Sequence, residues 1–179
     1  MKYLFLPLLF LLTTAALAQR PAPGLPQSAP MLVRGGTVHT GTGRVIENGA
    51  VGFAEGKITY VGPAADAPSG YQTVDAGGQH VYPGLILPNT TLGLVEIAAV
   101  RASRDQQEAG TINPNVRSLV AFNTDSDIIP TVRSNGVLLV QATPRGGTLA
   151  GTSSLMHLDG WNWEDAAVRA DDGIHVYWP

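Results

Sequence analysis

Residues 81–93 read V-Y-P-G-L-I-L-P-N-T-T-L-G, and this stretch decides the fold. Val81 and Tyr82 lead into Pro83-Gly84, the apolar triplet Leu85-Ile86-Leu87 follows, and Pro88 closes the run before Asn89-Thr90-Thr91. A short apolar run held between breakers and ending in polar residues predicts a buried strand that opens into a polar loop. In an α/β barrel the ends of such strands converge on the open mouth, where enzymes carry their reacting groups. Asn89 and Thr91 are therefore the first candidates for a site.

Upstream, residues 31–82 divide into short strands. Residues 31–34 and 37–39 are separated by Gly35-Gly36, residues 49–54 are joined through Glu55-Gly56 to residues 57–61, and residues 71–75 run into Gly77-Gly78. A Glu-Gly pair between two alternating runs signals a hairpin, because glycine supplies the positive φ of a tight turn. The pattern predicts a small antiparallel β unit.

The phrases L-V-R-G-G-T-V-H-T-G-T-G, G-K-I-T-Y-V-G-P and V-D-A-G-G-Q-H-V-Y-P-G-L-I resemble, in order and spacing, the amidohydrolase superfamily. Its N-terminal segment forms part of a β-sandwich beside a barrel, and the resemblance covers residues 32–93. The family closes its first barrel strand with P-G-apolar-apolar-Asp-x-His-x-His. Pro83, Gly84, Leu85 and Ile86 match that pattern, Leu87 stands at the Asp position, and Asn89 and Thr91 stand at the two His positions. The resemblance implies a hydrolase of C–N bonds other than peptide bonds, of the cyclic amide type as in imidazolonepropionase-like relatives. In intact members a divalent metal, zinc, activates the attacking water. Neutral amide and hydroxyl oxygens are poor zinc ligands beside imidazole and carboxylate, so no intact metal site and no cofactor are expected for this chain. Catalytic residues stay unassigned. Three readings stand: an amidohydrolase-type enzyme, a non-catalytic relative that binds a ligand or partner, and a free-standing secreted β module formed by residues 19–82.

Beyond Gly93 the pattern changes. Residues 101–110 are polar and charged, and Asp105 and Glu108 share a face if residues 101–109 are helical, together with Arg101 and Arg104. That arrangement favours a solvated, ion-paired face over an acid–base pair. Residues 116–122 read as a short helix, and Ser126 caps a second over residues 127–134 that Asn135-Gly136 ends. The apolar run at residues 137–142 has the profile of a buried parallel strand, giving a βαβ unit. A glycine-rich loop over residues 146–154 follows, and Gly146, Gly147, Thr152 and His157 are the candidate contacts at the mouth. The loop lacks the lysine of a phosphate-binding motif and is no nucleophile elbow. A strand at residues 155–158, a helical turn or two at 163–169 and a last strand at 173–178 complete the reading. His39, His80, His157 and His175 are too far apart in sequence to suggest a shared metal. Trp161, Trp163 and Trp178 form either an aromatic platform for a ligand or packing surface.

The expected fold is α/β: the N-terminal part of a composite β-sandwich plus the first βα units of a TIM-like (β/α)8 barrel. It is incomplete, because a full barrel needs roughly 250 residues. The family's remaining metal-site residues lie downstream of residue 179. A half-built barrel leaves apolar edges uncovered, which predicts a second chain that completes it, or a homo-oligomer.

Residues 1–18 have the form of a signal peptide: Lys2, an apolar stretch, and Ala16-Leu17-Ala18 before Gln19. The chain is thus expected to be exported, periplasmic or secreted, with no stable membrane anchor after cleavage. Residues 19–30, with four prolines, read as a linker, residues 31–82 as the sandwich segment and residues 83–179 as the partial barrel. The chain has no cysteine, which excludes disulfides, thiolate metal sites and a Cys nucleophile. A net charge of −3 and scattered arginines argue against nucleic-acid binding.

Overall fold

The computed structural model describes residues 22–178, so the predicted signal peptide lies outside the described residues. These residues form two compact units, residues 25–86 and residues 22–24 with 87–178. No helix among the described residues is long and apolar enough to cross a membrane.

In the first unit the strands are β1 (Met31–His39), β2 (Val45–Ala54), β3 (Lys57–Pro63), β4 (Gln72–Asp75) and β5 (His80–Val81). The sheet runs β3-β2-β1-β4, and β5 also pairs with β1. β1 and β2, and β2 and β3, are antiparallel, but β4 and β5 lie parallel to β1. The unit is therefore mixed where the sequence reading expects an antiparallel one. After β3 the chain crosses through a 3-10 turn at Ala64–Asp66 before it pairs on the far side of β1.

Gly35-Gly36 does not end a strand either. β1 runs through the pair with register shifts on both sides of Gly36, and Gly35 takes φ +75°. A Cβ on Gly36 would lie 2.5 Å from the carbonyl oxygen of Gln79, so the glycines let the neighbouring backbone pass close to a bulged strand. The Glu55-Gly56 hairpin forms as predicted, with both residues at positive φ (52° and 72°) as a two-residue I′ turn requires. Leu32, Ala50 and Ala64 are the buried centre of this unit, with Tyr60 and Tyr71 packed against them.

The second sheet is open and runs β6 (Leu85–Thr90), β7 (Val137–Ala142), β8 (Leu149–His157), β9 (Ala167–Val176). β8 is antiparallel to both β7 and β9, so beyond β7 the sheet continues as a meander. This is an incomplete α/β domain with few helices and no closed barrel. Among the described residues the helices are α1 (Ile128–Ser134) and the single turn α2 (Trp163–Ala166), with 3-10 turns in this unit at Arg101–Ser103 and Ser118–Ala121. α1 begins one residue later than expected. Ser126 is buried, its Oγ donates to Glu96 Oε2 at 2.8 Å, and it accepts from Ile128 N at 3.4 Å. Residues 104–109 are not helical, and the predicted final strand begins earlier, at Ala167.

The core of this unit joins Leu92, Leu94, Leu119, Phe122 and Ile129 to Val140, Ala142 and Met156 of the sheet. The reading of residues 85–87 as buried is overturned: Leu85 is 59% exposed, Ile86 57% and Leu87 38%. β6 is an edge strand, and its apolar side chains are only partly covered by the described residues. Leu138 of β7, read as part of a buried strand, is also exposed at 46%. The strand does not stop at Pro88 but extends through Asn89 to Thr90.

Candidate functional site

The ends of β6 and β7 meet. Thr143 N donates to Thr90 O at 2.8 Å, and Asn89 N donates to the Gln141 side-chain oxygen at 3.2 Å. Asn89 adopts φ +50°, a left-handed conformation that asparagine tolerates better than most side chains. Arg145, just past the end of β7, closes on this turn. Its Nη1 donates to Asn89 Oδ1, its Nη2 donates to Asn89 O at 2.7 Å, and Nη1 also reaches the Tyr177 hydroxyl. The Tyr177 hydroxyl in turn donates a hydrogen bond to Pro144 O at 3.0 Å, and the guanidinium carbon lies 5.9 Å from the Tyr177 ring centre. A planar donor fork fits this convergence of acceptors.

A second layer stands behind it. Gln141 Nε2 donates to Asp172 Oδ2 at 2.8 Å, and Arg169 lies 3.3 Å from the other oxygen of that carboxylate. His175 is half-buried on β9. Burial, and secondarily the charge of Arg145, push its pKa below the usual imidazole value, against a smaller opposing pull from Asp172. The mouth is thus cationic at Arg145, with a histidine biased toward its neutral form.

The other predicted contacts do a different job. Residues 106–117 run beside the start of β8, where β7 no longer pairs with it. Arg145 N donates to Gln106 O, Thr148 N and Leu149 N to Thr111 O, and Thr152 N to Val116 O. Bridges Gln107–Arg145, Ile112–Leu149 and Arg117–Thr152 mark the same path. A Cβ on Gly147 would lie 2.8 Å from Thr111 O, and one on Gly151 2.5 Å from Val116 O. Gly147 and Gly151 thus admit a neighbouring backbone, and a Cβ on Gly146 would meet the Gln107 side chain. The amides of Arg145, Thr148, Leu149 and Thr152 are spent on carbonyls, and the stretch from Leu149 on is strand and not loop.

The Thr152 hydroxyl bonds Val116 O and Asp171 Oδ1, both at 3.2 Å, and Asp171 pairs bidentately with Arg117 at 2.9 and 2.8 Å. The Arg117 hydrogen bond holds the Asp171 carboxyl below its usual range. His157 is exposed at the opposite end of β8 from Gly147, with Nδ1 3.1 Å from Asp159 O. Thr91 accepts from Leu94 N through its carbonyl, and the turn hydroxyl is that of Thr90, which accepts from Leu92 N at 3.2 Å. Asp105 and Glu108 line an open polar cleft with Arg117. Trp163 packs on the core while Trp161 and Trp178 are 69% and 86% exposed.

No protein-family model matches the chain. Imidazolonepropionases of Bacillus thuringiensis (strain Al Hakam) and Bacillus cereus (strain B4264) are each 50% identical to it over 50 residues, which is 27% of this chain and 12% of theirs. An amidohydrolase from Thermotoga maritima MSB8 superposes with a TM-score of 0.76 at 24% identity, over 83% of this chain and 39% of that one. Over those 50 residues the chain is similar to imidazolonepropionases, and its fold is similar to that of an amidohydrolase. It spans well under half the length of the relatives it matches in sequence or in structure.

The amidohydrolase pattern places Asn89 and Thr91 where its metal-binding histidines stand. The residues present do not fit a zinc ion: the Asn89 amide oxygen is neutral and already accepts from a guanidinium. A second cation beside Arg145 would meet repulsion in place of ligand charge. No cluster of three or more His, Cys, Asp or Glu that could hold a metal occurs among the described residues. Sequence reading missed Arg145, Gln141, Tyr177 and Asp172 as site residues. The signal for Arg145 was its place in the segment that follows β7, beside the end of β6 that carries Asn89.

Proposed function

We propose that this chain is the N-terminal portion of an exported amidohydrolase-family protein, periplasmic or secreted, whose family chemistry is hydrolysis of cyclic amide C–N bonds. In this protein the first-strand position serves to bind a polar or anionic ligand group and not to activate water on a metal. The observation that carries this reading is Arg145, seated on Asn89 Oδ1 and O and on Tyr177. An always-protonated fork at that place favours an anion over a divalent cation. The sequence likeness to imidazolonepropionases and the fold likeness to an amidohydrolase support the family, and the cleavage pattern at Ala16-Leu17-Ala18 supports export. We assign the cover of β6 to further strands, from downstream residues or from a second chain, on the strength of its exposed Leu85, Ile86 and Leu87.

The test is metal content and turnover in the full-length protein. Zinc and manganese are measured in the wild type and in Asn89→Ala, alongside hydrolysis of imidazolonepropionate. We expect no zinc or manganese that depends on residue 89 and no turnover, with Arg145→Ala weakening ligand binding. Stoichiometric zinc or manganese that is lost in Asn89→Ala, together with hydrolysis, would overturn the reading in favour of an enzyme with an altered ligand set.

A further inference from the structure

The first unit brings together two histidines that lie 41 positions apart in sequence. β1 and β5 pair in parallel with Thr37 opposite His80 and Val38 opposite Val81. Alternation then puts His39, His80 and Tyr82 on one face of the sheet. His39 Nε2 lies 2.8 Å from His80 Nδ1, and the His39 ring is stacked on Tyr82 with centres 4.2 Å apart and planes 11° apart. His80 is exposed, and Tyr82 is 63% exposed, so the pair faces solvent.

We propose that His39 and His80 form a two-imidazole site for a tetragonal first-row divalent cation, Cu2+ or Ni2+. Two nitrogens on one metal at bonds of about 2.0 Å lie about 2.8 Å apart when they subtend a right angle, but about 3.3 Å apart when tetrahedral. The His39–His80 separation is that of a hydrogen bond and brings the two nitrogens within reach of one metal, and with two imidazoles as the only protein ligands among the described residues the order of divalent affinities favours Cu2+ over Ni2+ and zinc. Binding replaces the hydrogen bond between the rings: the donor ring changes tautomer, its bridging proton being exchanged through solvent for one on its outer nitrogen, so that both rings stay neutral and both inward nitrogens turn their lone pairs to the metal. Water fills the remaining positions, since the described residues place no third His, Cys, Asp or Glu ligand there. Tyr82 is a positioning residue. Its stacked ring keeps the His39 imidazole beside His80, so only a turn of the two rings separates the hydrogen-bonded pair from a metal-binding one. This site is independent of the reading of Asn89 and Arg145.

The experiment titrates CuSO4, NiCl2 and ZnCl2 separately into the full chain by calorimetry, with electron paramagnetic resonance of the copper form. We expect one equivalent of copper on two nitrogens, bound tighter than nickel and much tighter than zinc. His39→Ala and His80→Ala should each weaken copper binding by about tenfold or more, and Tyr82→Ala by less, while His157→Ala and His175→Ala leave it unchanged. The double variant His39→Ala/His80→Ala sets the level contributed by the chain terminus. Circular dichroism reports folding, and if His39→Ala unfolds the chain, the exposed His80→Ala alone decides. Copper binding that survives His80→Ala, zinc binding as tight as copper, or no copper binding at all would overturn the proposal.

Discussion

Strands β6 and β8 belong to the same sheet and invert the usual expectation from hydropathy. β6 reads L-I-L-P-N-T, and Leu85, Ile86 and Leu87 at its start are all exposed. β8 reads L-A-G-T-S-S-L-M-H, with glycine, threonine and serine at its centre, and Ala150, Gly151, Ser153, Ser154 and Met156 are buried. The difference lies in their neighbours. β8 is flanked by β7 and β9, while residues 106–117 take over along its first half. β6 has β7 on one side alone.

Small polar residues can be buried in β8 because each hydroxyl has a partner: Ser153 donates to Gly173 O at 3.3 Å, and Ser154 accepts from Asp171 N at 3.1 Å. No buried polar side-chain atom among the described residues lacks a hydrogen bond. Burial follows from closeness of neighbours and satisfied polarity, not from apolar content alone.

This contrast can be broken most strongly at Met156, which is fully buried near the C-terminal end of β8. Met156→Ala should cost about 2–5 kcal/mol, whereas Ile86→Ala on β6 should stay within about 0.5 kcal/mol. Urea unfolding of both variants checks this, and equal losses would mean that β6 is covered in solution.

A smaller effect is expected at Gly151, whose φ of +115° and close Val116 carbonyl leave no room for a methyl group. Gly151→Ala should destabilise by about 1–3 kcal/mol and speed hydrogen exchange at the Thr152 amide, which donates to Val116 O. Unchanged exchange there would separate residues 106–117 from the integrity of β8.

The smallest effect is the pH dependence carried by His175 on β9. Its folded pKa is below the ordinary 6.5, so as pH falls the unfolded chain takes up the proton first. Its contribution is therefore fully present above 6.5 and is lost from there down to the lower folded value. Urea midpoints between about pH 5 and pH 8 should fall less steeply on acidification in His175→Asn than in the wild type. A steeper fall would reverse the assigned direction.

Much of the first unit was legible from the chain. The Glu55-Gly56 turn and its flanking strands follow from alternation and from a residue able to take positive φ. The parallel return of β4 and β5 was not, because local patterns do not say on which side of β1 a strand will pair. In the second unit the α1 and β7 segments were legible from a stop at Asn135-Gly136 and an apolar run, whereas the N-cap is Asp127 and not the expected Ser126. The glycines at 146, 147 and 151 carried a signal of special backbone geometry, but sequence cannot distinguish a glycine that faces an anion from one that admits a neighbouring carbonyl. At the candidate site Asn89 was found through its place at a strand end, while Arg145 and Tyr177 reached it from 56 and 88 positions away.

The sequence by itself determined the alternation of turns and strands, the amidohydrolase-like frame around Pro83-Gly84, and the polar Asn89-Thr90-Thr91 that follows it, because these are properties of residue type and local spacing. Only the tertiary structure decided that β8 is buried and β6 exposed, that Arg145 settles on Asn89, and that His39 meets His80. Those outcomes depend on which strands become neighbours, and neighbours far apart in sequence are chosen by packing and backbone pairing across the whole fold.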